Sequence, residues 1–491
     1  MRIRGLTVGI ATGAVIVGLV AACGGGGGYG GSSMMGGGGG SGYGGGGSSN
    51  PPPTVTFSSP AQAMSINLGQ AVNLAWSSTH TTSCTASTSS MTGGTFTGSQ
   101  SASGHMSVVP TATGTVTYTL NCSGAGGTMT ATSPTVTVNP SILSQLASVH
   151  AVTIGSTLDP TLGEGNPHGL AMAPVTAGLI TAGDLVVCNF NNAASAQGQG
   201  TTIVGLHPTP GANLGGKPYH IAQDARLSGC NALAVLADDS ISAAAFTANM
   251  NPLVSSSGAV NTPFASDSFN HPWGEAYVAA SGGNPAAIYV SNFDGSIDRI
   301  DLNGDAPTSF TQIATGFCGS GSPGSIYAPG GLTYDPSIDT LYIVDTSSNS
   351  VVALANVSSI AAGGVVVNGG CASVANPPTP LPTFSGPSAS SARVIAHGAP
   401  LFTPISAALL ADGDLIVTNG DVNIGAGQMP NLAVEISPVL PGGFVGDPLQ
   451  LDTSGTPGAL FGIAATVDAQ GHQIIYFNDD NNSMVMMLAT P

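Results

Sequence analysis

GDLVVCNFNN, residues 183–192, returns in altered form as AAIYVSNFDG (286–295), DTLYIVDTSSN (339–349), DLIVTNGDVN (414–423) and QIIYFNDDNN (473–482). Each copy is an alternating apolar run that ends in a cluster of Asn, Asp, Ser or Gly. β-Branched and aromatic residues suit a pleated strand, and Asn and Asp accept the tight backbone of turns. The copies therefore read as strands closed by turns, and their return at long intervals signals a repeat fold.

A second signal precedes each copy, a turn leading into a strand of small apolar residues. It reads NPHGLAM (166–172), HPWGEA (271–276), APGGLTY (328–334), PISAAL (404–409) and LFGIAA (460–465). Gly169 to Gly274 is 105 residues, Gly274 to Gly331 is 57, Gly331 to Ser406 is 75 and Ser406 to Gly462 is 56. The first gap is about double, and CNALAVLADD (230–239) followed by Ser240–Phe246 fills it with a degenerate copy. Six units of strands arranged radially make a β-propeller, which leaves only short, protected strand edges. The last unit holds three strands before the chain stops, so its fourth is expected from Ser148–Ile154, just ahead of unit one.

The 491 residues carry 24 acidic and 6 basic side chains, a formal net charge of −18. No Asp, Glu, Lys or Arg lies between Arg4 and Asp159. An acidic surface argues against nucleic acid as a partner, because phosphates call for Lys and Arg. Cations, neutral ligands and proteins stay open.

Residues 1–23 have the form of an export signal: Arg2 and Arg4, an apolar stretch, then small residues. The ending Val20-Ala21-Ala22-Cys23 resembles the lipobox of bacterial lipoproteins. That resemblance implies acylation of Cys23 and a lipid-anchored, extracytoplasmic address on the cell envelope, with the outer membrane or cell surface favoured by Gly24. Residues 24–53 are Gly/Ser/Pro-rich, a composition that cannot bury a core and is expected to act as a flexible tether.

Residues 54–139 are uncharged and rich in Thr, Ser and Val, with strands expected at Thr54–Phe57, Ala71–Trp76, His105–Val109, Thr115–Cys122 and Pro134–Val138. Short strands with polar turns indicate a β-sandwich. The stretch from Ala75-Trp76-Ser77 through Cys84 to Leu120-Asn121-Cys122 resembles a bacterial immunoglobulin-like domain, although Trp76 precedes both cysteines. Cys84 and Cys122 are the only cysteines there and are expected to pair. The fold class is thus all-β: an immunoglobulin-like sandwich, then a six-bladed propeller over residues 145–491. Cys188, Cys230, Cys318 and Cys371 allow three pairings, of which Cys188–Cys230 and Cys318–Cys371 are favoured because neighbouring units touch.

The two recurring signals should emerge on one face of the propeller, around its axis. That gathers His168, Asn191, Trp273, Glu275, Asn292, Asp294, Asp345, Asn349, Asn419, Asp421, Asn478 and Asp480 as candidate ligand residues. Carboxylates and amides in a ring could hold a divalent cation or a polar ligand; turn chemistry alone also accounts for them. The repeats resemble NHL and gluconolactonase-like six-bladed propellers, through Pro-x-Gly-Φ-Ala followed by Φ-Tyr-Φ-Val/Ser-Asp/Asn. The resemblance implies a fold that hosts binding, hydrolysis and lyase chemistry alike. No full metal-ligand set transfers by motif, and no nucleophile elbow, Walker loop or dinucleotide fingerprint is present. The sequence therefore points to a lipid-tethered propeller that binds a small polar ligand or an envelope protein. A metal-dependent lactonase or hydrolase is the alternative. The pattern makes no cofactor certain, and a divalent cation is the one it admits.

Overall fold

A computed structural model describes residues 50–264, 268–323, 325–369, 381–420 and 428–491. The signal segment, Cys23, nearly all of the tether, Cys371 and Asp421 lie outside the described residues. No described helix is long and apolar enough to cross a membrane.

Six antiparallel sheets form the propeller. Blade one holds Gly165–Met172, Leu185–Asn191, Thr202–Leu206 and Tyr219–Gln223. Blade two begins with Cys230–Val235 and Ile241–Ala245, the degenerate copy. Blades three, four and five begin with Pro272–Val278, Pro329–Asp335 and Pro404–Leu409. Blade six runs Leu460–Val467, Gln473–Asp479 and Met484–Ala489, and its outermost strand is Val152–Ser156, antiparallel to Met484–Ala489. That strand sits slightly later than the sequence indicates. The first strands of the blades lie side by side in order, and the sixth lies beside the first, so the ring is closed.

Burial explains why these strands read apolar on both faces. Each blade is covered by a neighbour on either side, and Leu185–Asn191 is buried at every position. One apolar cluster fills each gap between neighbouring blades; Leu341, Ile343 and Val352 of blade four, for example, meet Tyr289 and Ile297 of blade three.

Polar struts add a second set of links near the axis. Asn231 Nδ2 of blade two donates to Trp273 O of blade three over 2.7 Å. Ser291 Oγ donates to Gly330 O over 2.8 Å, Thr346 Oγ1 to Pro404 O over 2.6 Å, and Thr418 Oγ1 to Phe461 O over 3.1 Å. Asn478 Nδ2 of blade six returns to His168 O of blade one over 3.0 Å. Blades one and two are joined covalently by the Cys188–Cys230 disulfide.

The 75-residue spacing between Gly331 and Ser406 has a structural cause. Val365–Asn368 and Thr383–Ser385 are inserted between the third and fourth strands of blade four. They extend the neighbouring sheet instead, Ala314 and Thr315 of blade three pairing in parallel with Val365 and Val366.

Residues 54–139 form a small β-sandwich with a core of Val72, Leu74, Trp76, Phe96, Tyr118 and Leu120. The Cys84–Cys122 disulfide crosses two paired strands, Ser83–Thr88 and Tyr118–Gly124. Ser83–Thr88, Met64–Asn67, Gly98–Gln100 and Gly127–Thr132 were not legible as strands, because Ser, Thr and Gly carry weak alternation. The expected strand Thr115–Cys122 is two, broken at Thr117. A short helix, Ile142–Leu146, leads into the propeller and buries Leu143 and Leu146 against blades five and six.

Candidate functional site: the central channel

The two recurring signals do meet on one face. In register, Gly165 pairs with Asn191, Pro272 with Asn292, Pro329 with Asp345, Pro404 with Asn419 and Leu460 with Asp479. A bulge follows Pro167–Asn189 in blade one, Cys230–Ala245 in blade two and the pairs just named in blades three to six, the same place in every blade. The bulge turns the first strand toward the axis and sends His168 and Trp273 inward.

The expected ligand residues divide into two groups there. Most are committed to turns and struts. Asn191 Oδ1 accepts from Gly198 N, Asn349 Oδ1 from Thr403 N and Asn419 Oδ1 from Phe402 N. Asn292 Nδ2 donates to Asp298 Oδ2, Asp294 holds Ser296, and Asp345 accepts from Ser347 N and Ser348 Oγ. Asp480 accepts from Asn166, and Asn478 reaches His168 O. His168, Trp273 and Glu275 form the other group and line the channel.

The channel holds a cavity of about 410 Å³ along the axis. Its walls are the first strands: Leu170, Leu233, Ala276, Leu332, Ala407 and Ile463 contribute apolar side chains, and the exposed lining as a whole is more polar than apolar. An aromatic layer closes the turn face. His168 stacks on Phe461 at 3.6 Å between centroids and on Phe190 at 4.1 Å. Trp273 meets Phe190 and Phe246 edge-on at 6.1 and 5.4 Å. Lining residues at the other end of the first strands, Met172, Tyr277, Tyr334 and Ala465, are half-buried, whereas His168, Asn231 and Trp273 are buried. The cavity therefore opens toward the face opposite the Asn/Asp turns.

Burial disfavours charge in this channel. Burial pulls His168 down to about 3, against a smaller opposing effect of the Asn231 hydrogen bond, so its ring is neutral at physiological pH. Its Nδ1 lies 2.6 Å from Asn231 Oδ1. Asn231 has already committed its amide N–H to Trp273 O, which makes Nδ1 the protonated nitrogen. Burial pushes Glu275 well above the usual carboxyl range, opposed by the hydrogen bond from Ser242. Its Oε1 accepts from Ser242 Oγ at 2.9 Å and Asn251 Nδ2 at 2.5 Å, while Oε2 is buried without a partner. Trp273 Nε1 is likewise buried without an acceptor. His168 and Glu275 are the only His, Asp or Glu among the lining residues, too few to hold a divalent cation by side chains alone.

Phe190, Phe246, Phe461 and Asn231 belong to this site and were not singled out from the sequence. Phe190 stands inside the opening motif, one residue past Asn189, and Phe246 takes the same place in the degenerate copy, one past Ala245, as Phe293 does past Asn292. A Phe recurring at that place in three copies was the signal that could have pointed to an aromatic layer.

No protein-family model matches the chain, and no curated protein matches it in sequence. Solved structures similar to it include virginiamycin B lyase from Staphylococcus aureus, at 13% identity over 70% of this chain and 99% of that one, with a TM-score of 0.39. A nidogen/laminin complex is similar at 14% identity over 64% and 96%, with a TM-score of 0.41. A streptogramin B lyase is similar at 14% identity over 67% and 95%, with a TM-score of 0.36. These likenesses carry no argument about activity.

Proposed function

We propose that the chain is a cell-envelope lipoprotein, anchored through Cys23, whose propeller binds a small neutral ligand in its central channel. The observation that carries the reading is the axial cavity of about 410 Å³, walled by the first strands of the blades and closed at one end by the His168 layer. Buried polar atoms are normally paired, so Trp273 Nε1 and Glu275 Oε2 are the groups a ligand would satisfy. The sandwich serves as a spacer of immunoglobulin-like type between anchor and propeller. An envelope protein docked on the open face is compatible with the same architecture.

The test is a thermal-shift panel of small neutral compounds against the purified chain, repeated with Trp273→Phe. Compounds that stabilise the wild type and lose the effect in the variant support channel binding. A panel in which every stabilising compound acts equally on both proteins overturns it. Membrane fractionation of cells expressing Cys23→Ser tests the anchor: release of the chain from the membrane fraction is the expected result. Metal-dependent lactonase activity would instead show as lactone hydrolysis abolished by EDTA; the channel's donor set gives that reading no specific support.

A further inference from the structure

Three carboxylates of blade five meet where the sandwich rests on the propeller. Single donor oxygens from Asp412, Asp414 and Glu435 all lie within 4.8 Å of one another. Asp414 and Glu435 are buried and Asp412 is half-buried.

The partners around them are neutral. From the sandwich, Asn67 Nδ2 donates to Asp412 Oδ2 and Gln70 Nε2 to Asp414 Oδ1, both over 2.8 Å. From the helix that follows, the Ile142 and Leu143 N–H groups donate to Glu435 at 3.1 and 2.5 Å. Ser437 donates its proton to Gly69 O over 2.8 Å. Asp414 Oδ2 is fully buried and has no hydrogen bond of normal geometry, the neighbouring Ser437 hydroxyl being turned to Gly69 O. The sandwich backbone is pressed against that oxygen: a Cβ added at Gly69 would lie 2.9 Å from it. No ion pair among the described residues reaches the three carboxylates, and residues 54–139 contain no Lys or Arg that could.

Three clustered carboxylates, two of them buried, are costly without a counter-charge, because desolvation disfavours the buried charges and each repels the others. They must hold either protons or a cation. The oxygen donors are the three carboxylates; the amides of Asn67 and Gln70 and the Ile142 and Leu143 backbone present N–H groups to them, so further oxygens would come from water. Hard oxygen donors select calcium or magnesium over zinc or copper, and the larger, more adaptable shell of calcium tolerates an irregular cage completed by water.

We propose that Asp412, Asp414 and Glu435 bind a calcium ion that fastens the sandwich to blade five. Asp414 Oδ2 is the oxygen this ion would satisfy. The site is separate from the channel, and its fate does not depend on any ligand there.

The experiment is calorimetric titration of calcium chloride into the full chain after EDTA treatment and dialysis. The expected result is one saturable site with an affinity of about 10⁻⁴–10⁻³ M, the range of extracellular calcium modules. Asp414→Asn should weaken it at least tenfold. Asp224→Asn, in blade one, should leave it unchanged and controls for loose binding to an acidic surface. Should Asp414→Asn not fold, Asp412→Asn serves in its place. No saturable site up to about 10 mM calcium, ten times the weakest of those affinities, overturns the proposal. So does a site that keeps its affinity in the cluster variant.

Discussion

Asn478, in the second strand of blade six, donates its side-chain N–H to the backbone oxygen of His168 in blade one over 3.0 Å. The bond spans the seam where the two ends of the chain close the ring, next to the contact between His168 and Phe461. Asn478 is fully buried. Asn478→Ala should destabilise by about 1–3 kcal/mol, the cost of a buried carbonyl left without its donor. Asn478→Asp should cost more, because it sets a carboxylate against that carbonyl. Denaturant unfolding of the two variants checks the order; an Asp variant as stable as wild type would show that the strut contributes nothing.

The covalent link between blades one and two should matter on a similar scale. Cys188 and Cys230 are 42 residues apart in sequence. Closing a loop of that length stabilises by about 4 kcal/mol in the chain-entropy account. The double variant Cys188→Ala/Cys230→Ala should lower the denaturant midpoint without changing the far-ultraviolet circular dichroism of the folded state. A midpoint equal to wild type under oxidising conditions would contradict it.

These two links show what the sequence disclosed and what it hid. The strand-turn copies were legible because a blade needs apolar residues on both faces and an Asx-type turn at its end, and both leave local patterns. The role of Asn478 was not, since an Asn that ends a strand has the same sequence signature whether it binds a ligand, holds a turn or braces the next blade. The aromatic layer was hidden for a different reason. Phe190, Phe246 and Phe461 are scattered over three blades and meet only because the ring closes. The sandwich contact with Asp412 and Asp414 joins residues more than 340 positions apart, and no periodicity within either domain encodes it.

Acidity should stabilise the fold. Burial is the main cause that pushes Asp298 and Asp480 up to about 7 and Asp345 up to about 6. A carboxyl raised above its unfolded value, about 4, holds more protons in the folded state than in the unfolded one across that window. Stability contributed by these groups is therefore full below about pH 4 and falls as pH rises through the folded values. Each adds a slope of at most about 1.4 kcal/mol per pH unit within its window. Melting temperature measured from pH 5 to pH 8 should decline; a rise over that range would mean that other groups dominate.

Trp273 allows stability and binding to be separated. Its Nε1 is buried with no acceptor, so the folded protein bears the desolvation of that donor, about 1–3 kcal/mol, without a compensating bond. Trp273→Phe removes the orphan donor but keeps an aromatic ring against Phe190 and Phe246. The smaller ring leaves some empty volume, which offsets part of the gain. The net change in stability should therefore stay within about 1 kcal/mol of zero, whereas most buried Trp substitutions cost several. A ligand that accepts a hydrogen bond from Nε1 should lose about 5–10-fold in affinity, the worth of one neutral hydrogen bond. Only one other tryptophan, Trp76, is present, and it lies in the sandwich core. Fluorescence of a Trp76→Phe background therefore reports Trp273 alone, and channel binding should shift its emission. A channel ligand whose affinity is the same for Trp273→Phe and wild type would show that Nε1 takes no part in recognition.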